Sequence, residues 1–308
     1  MTEIMDGTGG VFFAKQLEQI KAKAYDVLYP EFTYDKAFDV SSEVNPGAQE
    51  IVYQTFDQRG EAKLINGNAS DVPRVDVDGK ETRIPVRTIA DAFGYTQDEI
   101  EAARFAGVPL DRKRAAAARR IIEEKMNYLA WFGDAAAGLI GFFTTSLIDT
   151  SAAADIGGGV TVWSSKSAAQ ILADVNTAFS AVFENTEGVE RANRMGLPLA
   201  QWNLIMTTNM GTGTDTTIAK YIVQNSPFLT SLDQIMAIPE LKNAAGTADE
   251  DVLAVWTKNP DKVQIEIPMD VTFMEPEKNG LEYVTIARAR YAGMNMYYPK
   301  SAYILTDI

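Results

Sequence analysis

The side chains that most often carry enzyme chemistry are missing from this sequence, which has no histidine and no cysteine. Without cysteine there can be no disulfide, thiolate nucleophile or zinc–thiolate site. Without histidine the Ser-His-Asp and Cys-His arrangements are excluded, and the commonest general base and metal ligand is lost. Aspartate, glutamate, lysine, tyrosine, serine and threonine remain for chemistry. We therefore predict that the chain is not an enzyme and has no catalytic, cofactor-binding or metal site.

The spacing of one segment could suit a phosphate. Residues 211–217 (GTGTDTT) lie between a predicted strand and a predicted helix, so their backbone amides could hold an anion. The segment lacks the Gly-Lys-Ser/Thr of a P-loop and the spacing of a dinucleotide fingerprint. A loop in which Thr214 or Asp215 caps the following helix explains the same residues, and we favour that interpretation.

Acidic residues cluster at Asp98, Glu99 and Glu101, at Glu123 and Glu124, and at Asp249, Glu250 and Asp251. Adjacent carboxylates usually point apart into solvent, whereas a metal site needs them to converge. An amide bond between subunits, from Lys63 or Lys80 to Asn279 or Asn295, would need a carboxylate in a dry pocket beside the pair. The sequence shows no such pocket, so we favour free surface lysines.

Length, apolar runs and net charge limit the classes of protein to which this chain can belong. A chain of 308 residues can bury a sizeable core. No run reaches the roughly 18 apolar residues of a membrane span, and the start, MTEIMDGTGG, does not resemble a secretory signal. The net charge of −14 opposes binding of nucleic acid through a positive field. It fits a soluble cytoplasmic protein or a container wall that repels packed DNA, and charge alone does not choose between them.

A long polar hairpin followed by a long helix is the most informative part of the chain. We predict strands at 51–56, 75–77 and 83–89, a flexible tip at 57–74, and a helix at 111–132 that ends at Gly133. An isolated two-stranded ribbon is at best marginally stable in water, and its open edges invite pairing. The simplest way to stabilise it is to lay it over a neighbouring copy. That favours a shell-building subunit over an enzyme.

The rest of the chain alternates between helices and strands, with no internal repeat. Predicted helices are Phe12–Leu28, Thr96–Phe105, Ser167–Glu184 and Thr214–Gln224; predicted strands are 203–208 (NLIMTT), Val252–Trp256, Val263–Phe273 and Tyr283–Tyr291. The small residues at 149–160 predict a loop or a domain boundary. The aromatic residues at 29–49 could anchor an arm on another surface or fill the core of their own subunit.

Basic residues concentrate in the first half of the long helix. Six lie between 112 and 125, and Glu123 and Glu124 leave a balance of four positive charges. Arg112, Arg114, Arg119 and Arg120 form this basic cluster. It could be a solvated helix face, or it could meet acidic loops of neighbours or enclosed nucleic acid, and both interpretations stay open.

Several long segments resemble tailed-phage and prophage major capsid proteins of the HK97 type. They are FFAKQLEQIKAKAYDVLYPEF, DVPRVDVDGKETRIPVRTIADAFGYTQDEIEAARFAGVPLDRKRAAAARRIIEEKMNYLAWFGD, TTNMGTGTDTTIAKYIVQNSPF and RARYAGMNMYYPKSAYIL. The resemblance runs in order along nearly the whole chain. It implies an α+β capsid fold, which encapsulin shells share.

The resemblance also implies a domain plan. Residues 1–47 would be an N-arm and 48–90 an extended E-loop. A peripheral domain with a long spine helix would comprise 91–149 and 262–292, and an axial domain 150–261 and 293–308. The expected assembly-interface residues are Phe12, Phe13, Tyr29, Phe32, Arg59, Lys63, Arg74, Lys80 and Arg83.

The implied function is that of a major capsid protein that self-assembles into an icosahedral shell of pentamers and hexamers around double-stranded phage DNA. The expected partners are other copies of the chain and DNA bound without sequence specificity; separate scaffold, portal and decoration proteins could join them, and no membrane is expected. The location would be the virion capsid, assembled in the cytoplasm of a bacterial host. The alternative is an encapsulin-like compartment that holds cargo protein. An enzyme with a phosphate loop at Gly211 and a β-augmenting adaptor are the hypotheses from other classes.

Overall fold

The computed structural model describes residues 29–64, 73–106, 113–211, 213, 215–244 and 250–308. The chain divides into two compact units, Met1–Glu31 and Phe32–Ile308. All helices and strands given below belong to the second unit. The predicted helix Phe12–Leu28, part of the predicted hairpin tip and the predicted cap Asp111 lie outside the described residues.

The helices and strands follow one another along the second unit. The first half contains α1 (Tyr34–Ala37), β1 (Asp39–Ser41), β2 (Glu50–Arg59), β3 (Asp76–Pro85), β4 (Arg87–Thr96), α2 (Gln97–Ala106), α3 (Lys113–Phe132) and β5 (Asp149–Ala152). The second half contains α4 (Ala168–Asn185), β6 (Arg194–Leu197), α5 (Leu199–Thr207), α6 (Ile218–Asn225), β7 (Ile235–Ala237), β8 (Leu253–Trp256), β9 (Val263–Glu266), β10 (Met269–Phe273), β11 (Glu277–Asn279), β12 (Glu282–Tyr291), β13 (Gly293–Met296) and β14 (Ala302–Thr306).

One antiparallel sheet is packed against the long helix α3, and we call it the peripheral sheet. Its order is β10-β12-β11, with β4 also paired to β12 from Arg87↔Tyr291 to Thr96↔Glu282. Helix α3 buries a stripe made of Ala118, Ile122, Met126, Leu129 and Ala130. The spacing of three and four residues is that of an amphipathic helix facing a core. This stripe joins Phe93, Ala287 and Ala289 of the sheet in one hydrophobic core.

A mixed sheet builds the second hydrophobic core. Its order is β5-β14-β8-β6-β7, and α4 packs on it through Ile171, Val175 and Phe179. Helix α4 begins with a local signal, because the Ser167 N–H donates to Gln170 Oε1 at 2.8 Å. A smaller sheet has the order β1-β9-β13, and β2 pairs only with β3. The mixed helix and sheet content confirms the predicted α+β class.

Several predicted elements are confirmed close to their expected bounds. They are the strands at 51–56, 252–256 and 283–291 and the helices at 96–105, 111–132 and 167–184. In α2, Thr96 and Glu99 form the predicted capping box, with N–H to side-chain oxygen distances of 3.0 and 3.3 Å. Gly133 ends α3 with φ of +63°, and a Cβ there would overlap the backbone of Leu139 and Gly141. Only glycine adopts this conformation at little cost.

The predicted strand at 203–208 is wrong, because these residues lie in helix α5. The buried strand comes earlier, as β6, which pairs with β8. Pro198 follows β6 with φ of −58° and directly precedes the helix, where its fixed φ and missing N–H suit a helix start. A short apolar run such as Leu-Ile-Met fits a helix and a strand equally well by periodicity.

The predicted single strand Val263–Phe273 is also wrong, since it is divided between two sheets. Strand β9 pairs with β1 and β13, whereas β10 pairs with β12. Pro268 lies between the two strands. It has no N–H to donate to a ladder, so it marks the break. The apolar alternation continues across Pro268 because both halves face buried surroundings.

The predicted loop at 149–160 and the predicted start of the helix at 214–224 also need correction. The first residues of the predicted loop 149–160 form β5, which pairs in parallel with β14. This pairing joins segments far apart in sequence, so the small local residues gave no sign of it. The predicted helix at 214–224 begins later, as α6, and Thr217 is its cap in place of Thr214 or Asp215. The Thr217 hydroxyl accepts from the Lys220 N–H at 3.5 Å.

Candidate assembly surface

The predicted hairpin is a regular antiparallel pair of strands, β2 and β3, which we call the ribbon. The pairing runs without interruption from Glu50↔Pro85 to Arg59↔Asp76. The ribbon is a separate pair in the strand order and forms none of the other sheets. Both of its edges are therefore open along the described residues, as predicted.

The root of the ribbon packs on its own subunit through a small apolar cluster. Ile84, Val86 and Ala292 are buried there, and Ile51 and Tyr53 pack against them. The Tyr53 ring also meets Tyr297 edge to face, with ring centroids 4.9 Å apart. Aromatic pairs in this geometry add stability beyond the area that they bury. One face of the ribbon is thus held to its own subunit at the base.

Hydrogen bonds to backbone carbonyls hold the root of the ribbon to the rest of the subunit. The Val86 N–H donates to the Gln49 carbonyl at 2.8 Å, and the Arg290 guanidinium donates to the Ala48 carbonyl at 2.7 Å. The Arg87 Nε donates to the Ala137 carbonyl at 2.9 Å. Because the bonds come from residues on both sides of the root, the ribbon is braced there.

The opposite face of the ribbon carries an exposed apolar stripe, Val52, Phe56 and Val77, which we call the ribbon stripe. The three residues are 47%, 68% and 53% exposed. Phe56 lies across from Gly79, where an added Cβ would be 3.2 Å from the Phe56 ring. The sequence analysis did not select these residues as interface candidates. The signal was in IVYQTF, where Val52 and Phe56 are apolar on one face and Ile51 and Tyr53 are apolar on the other.

The charged residues predicted at the interface lie along the ribbon, and several form ion pairs within it. Arg59 pairs with Asp78 at 3.1 Å, and Arg83 pairs with Glu81 at 2.9 Å. Exposed pairs such as these contribute little stability. Lys80 lines a cavity of about 250 Å³ under the ribbon, which Tyr53 and Tyr297 also line. Lys63 and Arg74 lie on the exposed described part of the tip.

Four of the predicted interface residues are aromatic residues of the N-terminal stretch. Phe12 and Phe13 lie outside the described residues, and Tyr29 is an exposed residue of the first unit. Phe32 is half-buried, with the Arg120 guanidinium 4.9 Å from its ring centroid. Another aromatic residue of this stretch, Phe38, fills the core of its own subunit. Its ring centroid lies 5.0 Å from that of Trp131.

The described members of the basic cluster contact groups in their own subunit. Arg114 donates to Glu99 at 2.8 Å and to the Gly94 carbonyl at 2.5 Å. Arg119 donates to Glu123 at 2.8 Å and to Asp270 at 3.1 Å. Arg112 lies outside the described residues. The hydrogen bonds from Arg114 hold the pKa of Glu99 at about 2, well below its ordinary value.

The asparagines considered for an amide bond lie in opposite surroundings. Asn279 is exposed, whereas Asn295 is fully buried in β13. Burial raises the pKa of Glu266, which lies diagonally from Asn295 across the β9–β13 pairing. A buried carboxylate is therefore near Asn295. However, Asn295 itself is out of reach of a lysine from another subunit in this conformation.

Metal sites and membrane-spanning helices are two further features that could occur among the described residues. Within them, no three acidic side chains come close enough together to hold a metal ion. In the same part of the chain, no helix has the length and apolar run needed to cross a membrane.

The comparisons with known proteins agree on one family and one fold. A family model described as "Major capsid protein" matches residues 60–308. The capsid of Myoviridae phage XM1 superposes with a TM-score of 0.82 at 15% identity, over 96% of this chain and 98% of that one. The capsid of an empty GTA particle gives a TM-score of 0.64 at 12% identity, over 99% of both chains. A search of curated proteins finds no match.

A virus-like particle from Pyrococcus furiosus is also similar, with a TM-score of 0.54 at 12% identity, over 88% of this chain and 90% of that one. At such identities the structural likeness shows the fold, which is that of HK97-type phage capsids. The family model covers well over half of the sequence. The chain therefore belongs to the major capsid protein family and is a capsid shell protein.

Proposed function

We propose that this capsid protein assembles into a closed icosahedral shell of pentamers and hexamers that encloses double-stranded DNA, with each ribbon lying over an adjacent subunit. The observation that carries the proposal is the exposed ribbon stripe on a root that is fixed to its own subunit. A rigid ribbon with an apolar outer face is suited to cover a second surface. In a shell-forming family, that surface belongs to another copy.

The energetics favour a contact that is modest in each subunit and repeated many times. Fully burying a valine or phenylalanine side chain contributes about 1.5–3 kcal/mol. Because the three residues of the ribbon stripe are about half-exposed, covering each of them adds about half of that amount. In a closed shell every subunit makes and receives this contact, so multivalency multiplies its effect.

The proposal divides the chain into four parts. Residues 1–47 act as the N-arm and 48–90 as the E-loop, whose described strands are β2 and β3. The peripheral domain comprises 91–149 and 262–292, with α3 as spine helix, and the axial domain comprises 150–261 and 293–308. The axial domain is supported by the core under α4, whose buried residues all lie within 150–261 and 293–308. The core under α3 also contains Trp256 and Ile304 of the axial segments and Phe38 of the N-arm, so it joins several parts of the plan.

The remaining parts of the proposal concern partners and location. The chain itself is not an enzyme. The basic cluster is either a solvated helix face or a face that meets a neighbouring subunit or the enclosed DNA, which is bound without sequence specificity. Assembly takes place in the cytoplasm of a bacterial host and could involve separate scaffold, portal and decoration proteins. The shell then forms the capsid of the virion.

Deleting residues 58–83 tests the role of the ribbon. The deletion removes the outer ribbon but keeps the root residues Ile51, Tyr53, Ile84 and Val86, so the subunit should fold. We expect thermal unfolding close to that of the unmodified chain and no closed shells by electron microscopy.

Point variants test whether assembly needs the apolar side chains of the ribbon stripe or only the ribbon backbone. The variant Phe56→Ser should reduce the yield of shells, whereas Gln54→Ser, an exposed change on the same face and strand, should not. Normal shells from the deletion chain would overturn the proposal.

The content of purified particles decides between a genome and a protein cargo. We expect nuclease-protected double-stranded DNA inside particles made during phage growth. Particles that hold a cargo protein and no DNA would favour the encapsulin-like alternative instead.

A further inference from the structure

The small sheet made of β1, β9 and β13 has one polar face. Ser41 of β1 pairs with Glu266 of β9, and Asn295 of β13 pairs with Gln264 of β9. Residues that pair across strands, and alternate residues of one strand, have their side chains on the same face of a sheet. These four side chains therefore share one face, whereas Ile265 on the other face belongs to the core under α3.

Two oxygen atoms of this polar face are buried and accept no hydrogen bond. Asn295 and Glu266 are 0% and 5% exposed. Within the described part of the chain, Asn295 Oδ1 and Glu266 Oε2 have no hydrogen-bond partner. Burying a polar atom without a partner costs free energy, and the cost is much larger for a charged group. Native structures rarely leave such atoms unpaired, so we expect a ligand to contact them.

The charges around Glu266 are unfavourable as well. Burial raises the pKa of the Glu266 carboxyl, a hydrogen bond with Ser41 opposes part of this shift, and the nearby negative charge of Glu43 adds to it. Among the described residues, no lysine or arginine shifts this pKa. Lys258 pairs instead with Asp39, at the other end of β1, at 3.9 Å. Glu266 is therefore a buried acid whose charged neighbour has the same sign.

Glu43 lies where the polar face meets solvent. It is exposed, and its N–H donates to the Ser41 hydroxyl at 3.3 Å. Burial raises the pKa of Tyr297, and the carboxylates of Glu266 and Glu43 raise it further, so both carboxylates are near the Tyr297 side chain. The Tyr297 ring in turn meets Tyr53 of the ribbon root. The polar face therefore opens to solvent at Glu43, beside the root of the ribbon.

The oxygen atoms of this region suit a hard divalent cation. Carboxylates and the amide oxygen of asparagine are ligands that calcium takes, and its flexible geometry accepts a mixed set. A calcium ion would contact both unpartnered oxygens and balance the charges of Glu266 and Glu43. A water molecule could contact the oxygens but would leave the buried charge unbalanced. Zinc is disfavoured, because the chain has neither histidine nor cysteine.

We propose that Glu266, Asn295 and Glu43 bind one calcium ion beside the root of the ribbon. The Ser41 hydroxyl and water supply the remaining oxygen ligands. Only two of the ligands are carboxylates, which agrees with the absence of any group of three acidic side chains among the described residues. The ion joins β9 and β13 to the segment that leads from β1 into the ribbon, so it should stiffen the ribbon root. The shell function proposed above does not depend on it.

Isothermal titration calorimetry of the full chain with calcium chloride tests the site, after dialysis against a chelator and then against metal-free buffer. We expect one calcium ion for each chain with a dissociation constant of about 0.1 mM, since few charged ligands make a calcium site weak. The variants Glu266→Gln and Glu43→Gln should each weaken binding about tenfold or more. The matched control, Glu277→Gln, removes the same charge from an exposed position of β11 and should leave the affinity unchanged.

Thermal unfolding provides a second measurement, because a ligand that binds only the folded chain raises its unfolding temperature. Calcium chloride should raise the unfolding temperature of the unmodified chain and of Glu277→Gln, but not that of Glu266→Gln. With chelator present, Glu266→Gln should unfold at the same temperature as the unmodified chain or at a higher one, since it removes a buried charge without a counterion. A folded variant that does not respond to calcium separates loss of the site from loss of the fold.

Two results would overturn the calcium site. One is the absence of calcium binding by the unmodified chain, and the other is an equal calcium affinity of the unmodified chain, Glu266→Gln and Glu43→Gln. Neither result bears on the shell function, which the ribbon deletion tests separately.

Discussion

At the residue scale, a buried ion pair holds the segment that leads into α4. Lys166 Nζ lies 2.6 Å from Asp174 Oδ2, and the two side chains are 0% and 3% exposed. The Trp163 indole N–H donates to the same oxygen at 2.9 Å. A buried charge needs such partners, because the cost of removing it from water is large.

Breaking this pair should be strongly destabilising. The variant Asp174→Ala leaves the Lys166 ammonium buried without its counterion, so we expect the free energy of unfolding to fall by about 3–5 kcal/mol. Denaturant unfolding of the unassembled subunit measures the change. Asp78→Ala, which breaks the exposed pair with Arg59, should cost at most about 1 kcal/mol. Equal effects of the two variants would contradict the expectation.

At the element scale, Glu99 joins α2 to α3. It closes the capping box of α2 and accepts from Arg114 of α3, and the hydrogen bonds from Arg114 lower its pKa from 4.5 to about 2. A carboxyl whose pKa is lower in the folded state stabilises the fold while it is ionised. This contribution is complete above about pH 4.5 and is lost as the pH falls towards 2.

The variant Glu99→Gln therefore has a defined pH dependence. Its unfolding temperature should lie below that of the unmodified chain at neutral pH, and the gap should close between pH 4.5 and 2. Calorimetry across this pH range measures the gap. Asp98→Asn, an exposed carboxylate in the same turn, serves as the control and should give a smaller gap at neutral pH. A gap for Glu99→Gln that is independent of pH would argue against the Arg114 interaction.

Elements with local signals were predictable from the sequence, and those set by distant partners were not. The capping box at Thr96 and the positive φ of Gly133 are local, and both ends were placed correctly. Strand β5 forms because β14 pairs with it, and residues 149–152 themselves contain no pattern that predicts this pairing. Pro268 could have indicated the break between β9 and β10. The apolar alternation continues on both sides of it, so a single strand was predicted.

The same division applies to the assembly surface. The length and polarity of the ribbon came from alternation and turn residues, which are local. Both phases of that alternation are apolar near the root, with Ile51 and Tyr53 on one face and Val52 and Phe56 on the other. Only Ala292 and Tyr297, far away in sequence, decide which face is held down. The ribbon stripe could not be identified before that choice was known.

At the scale of the whole molecule, net charge opposes assembly while apolar contacts favour it. Each subunit carries a net charge of −14, so subunits brought together repel one another. Salt shortens the range of this repulsion, from a Debye length of about 30 Å at 0.01 M to about 10 Å at 0.1 M. Contacts through the ribbon stripe are apolar and are not weakened by this screening.

Shell assembly should therefore increase with ionic strength. We expect the light scattering of assembling subunits to rise between 0.01 and about 0.15 M sodium chloride, since the repulsion is screened in this range. The variant Phe56→Ser should keep the same salt dependence at a lower yield. Dissolution of shells by added salt would show that ionic contacts, and not apolar ones, hold the subunits together.

The direct path from β3 through Val86 into β4 has a mechanical consequence. A pull on the ribbon along its strands reaches β4 and loads its pairing with β12, from Arg87↔Tyr291 to Thr96↔Glu282. Antiparallel ladder hydrogen bonds are perpendicular to their strands, so the component of the pull along β4 loads them together in shear. When pressure from inside stretches a shell, we expect each ribbon to transmit the force to the β4–β12 pairing. The hydrogen bonds of this pairing should then break together and not one after another.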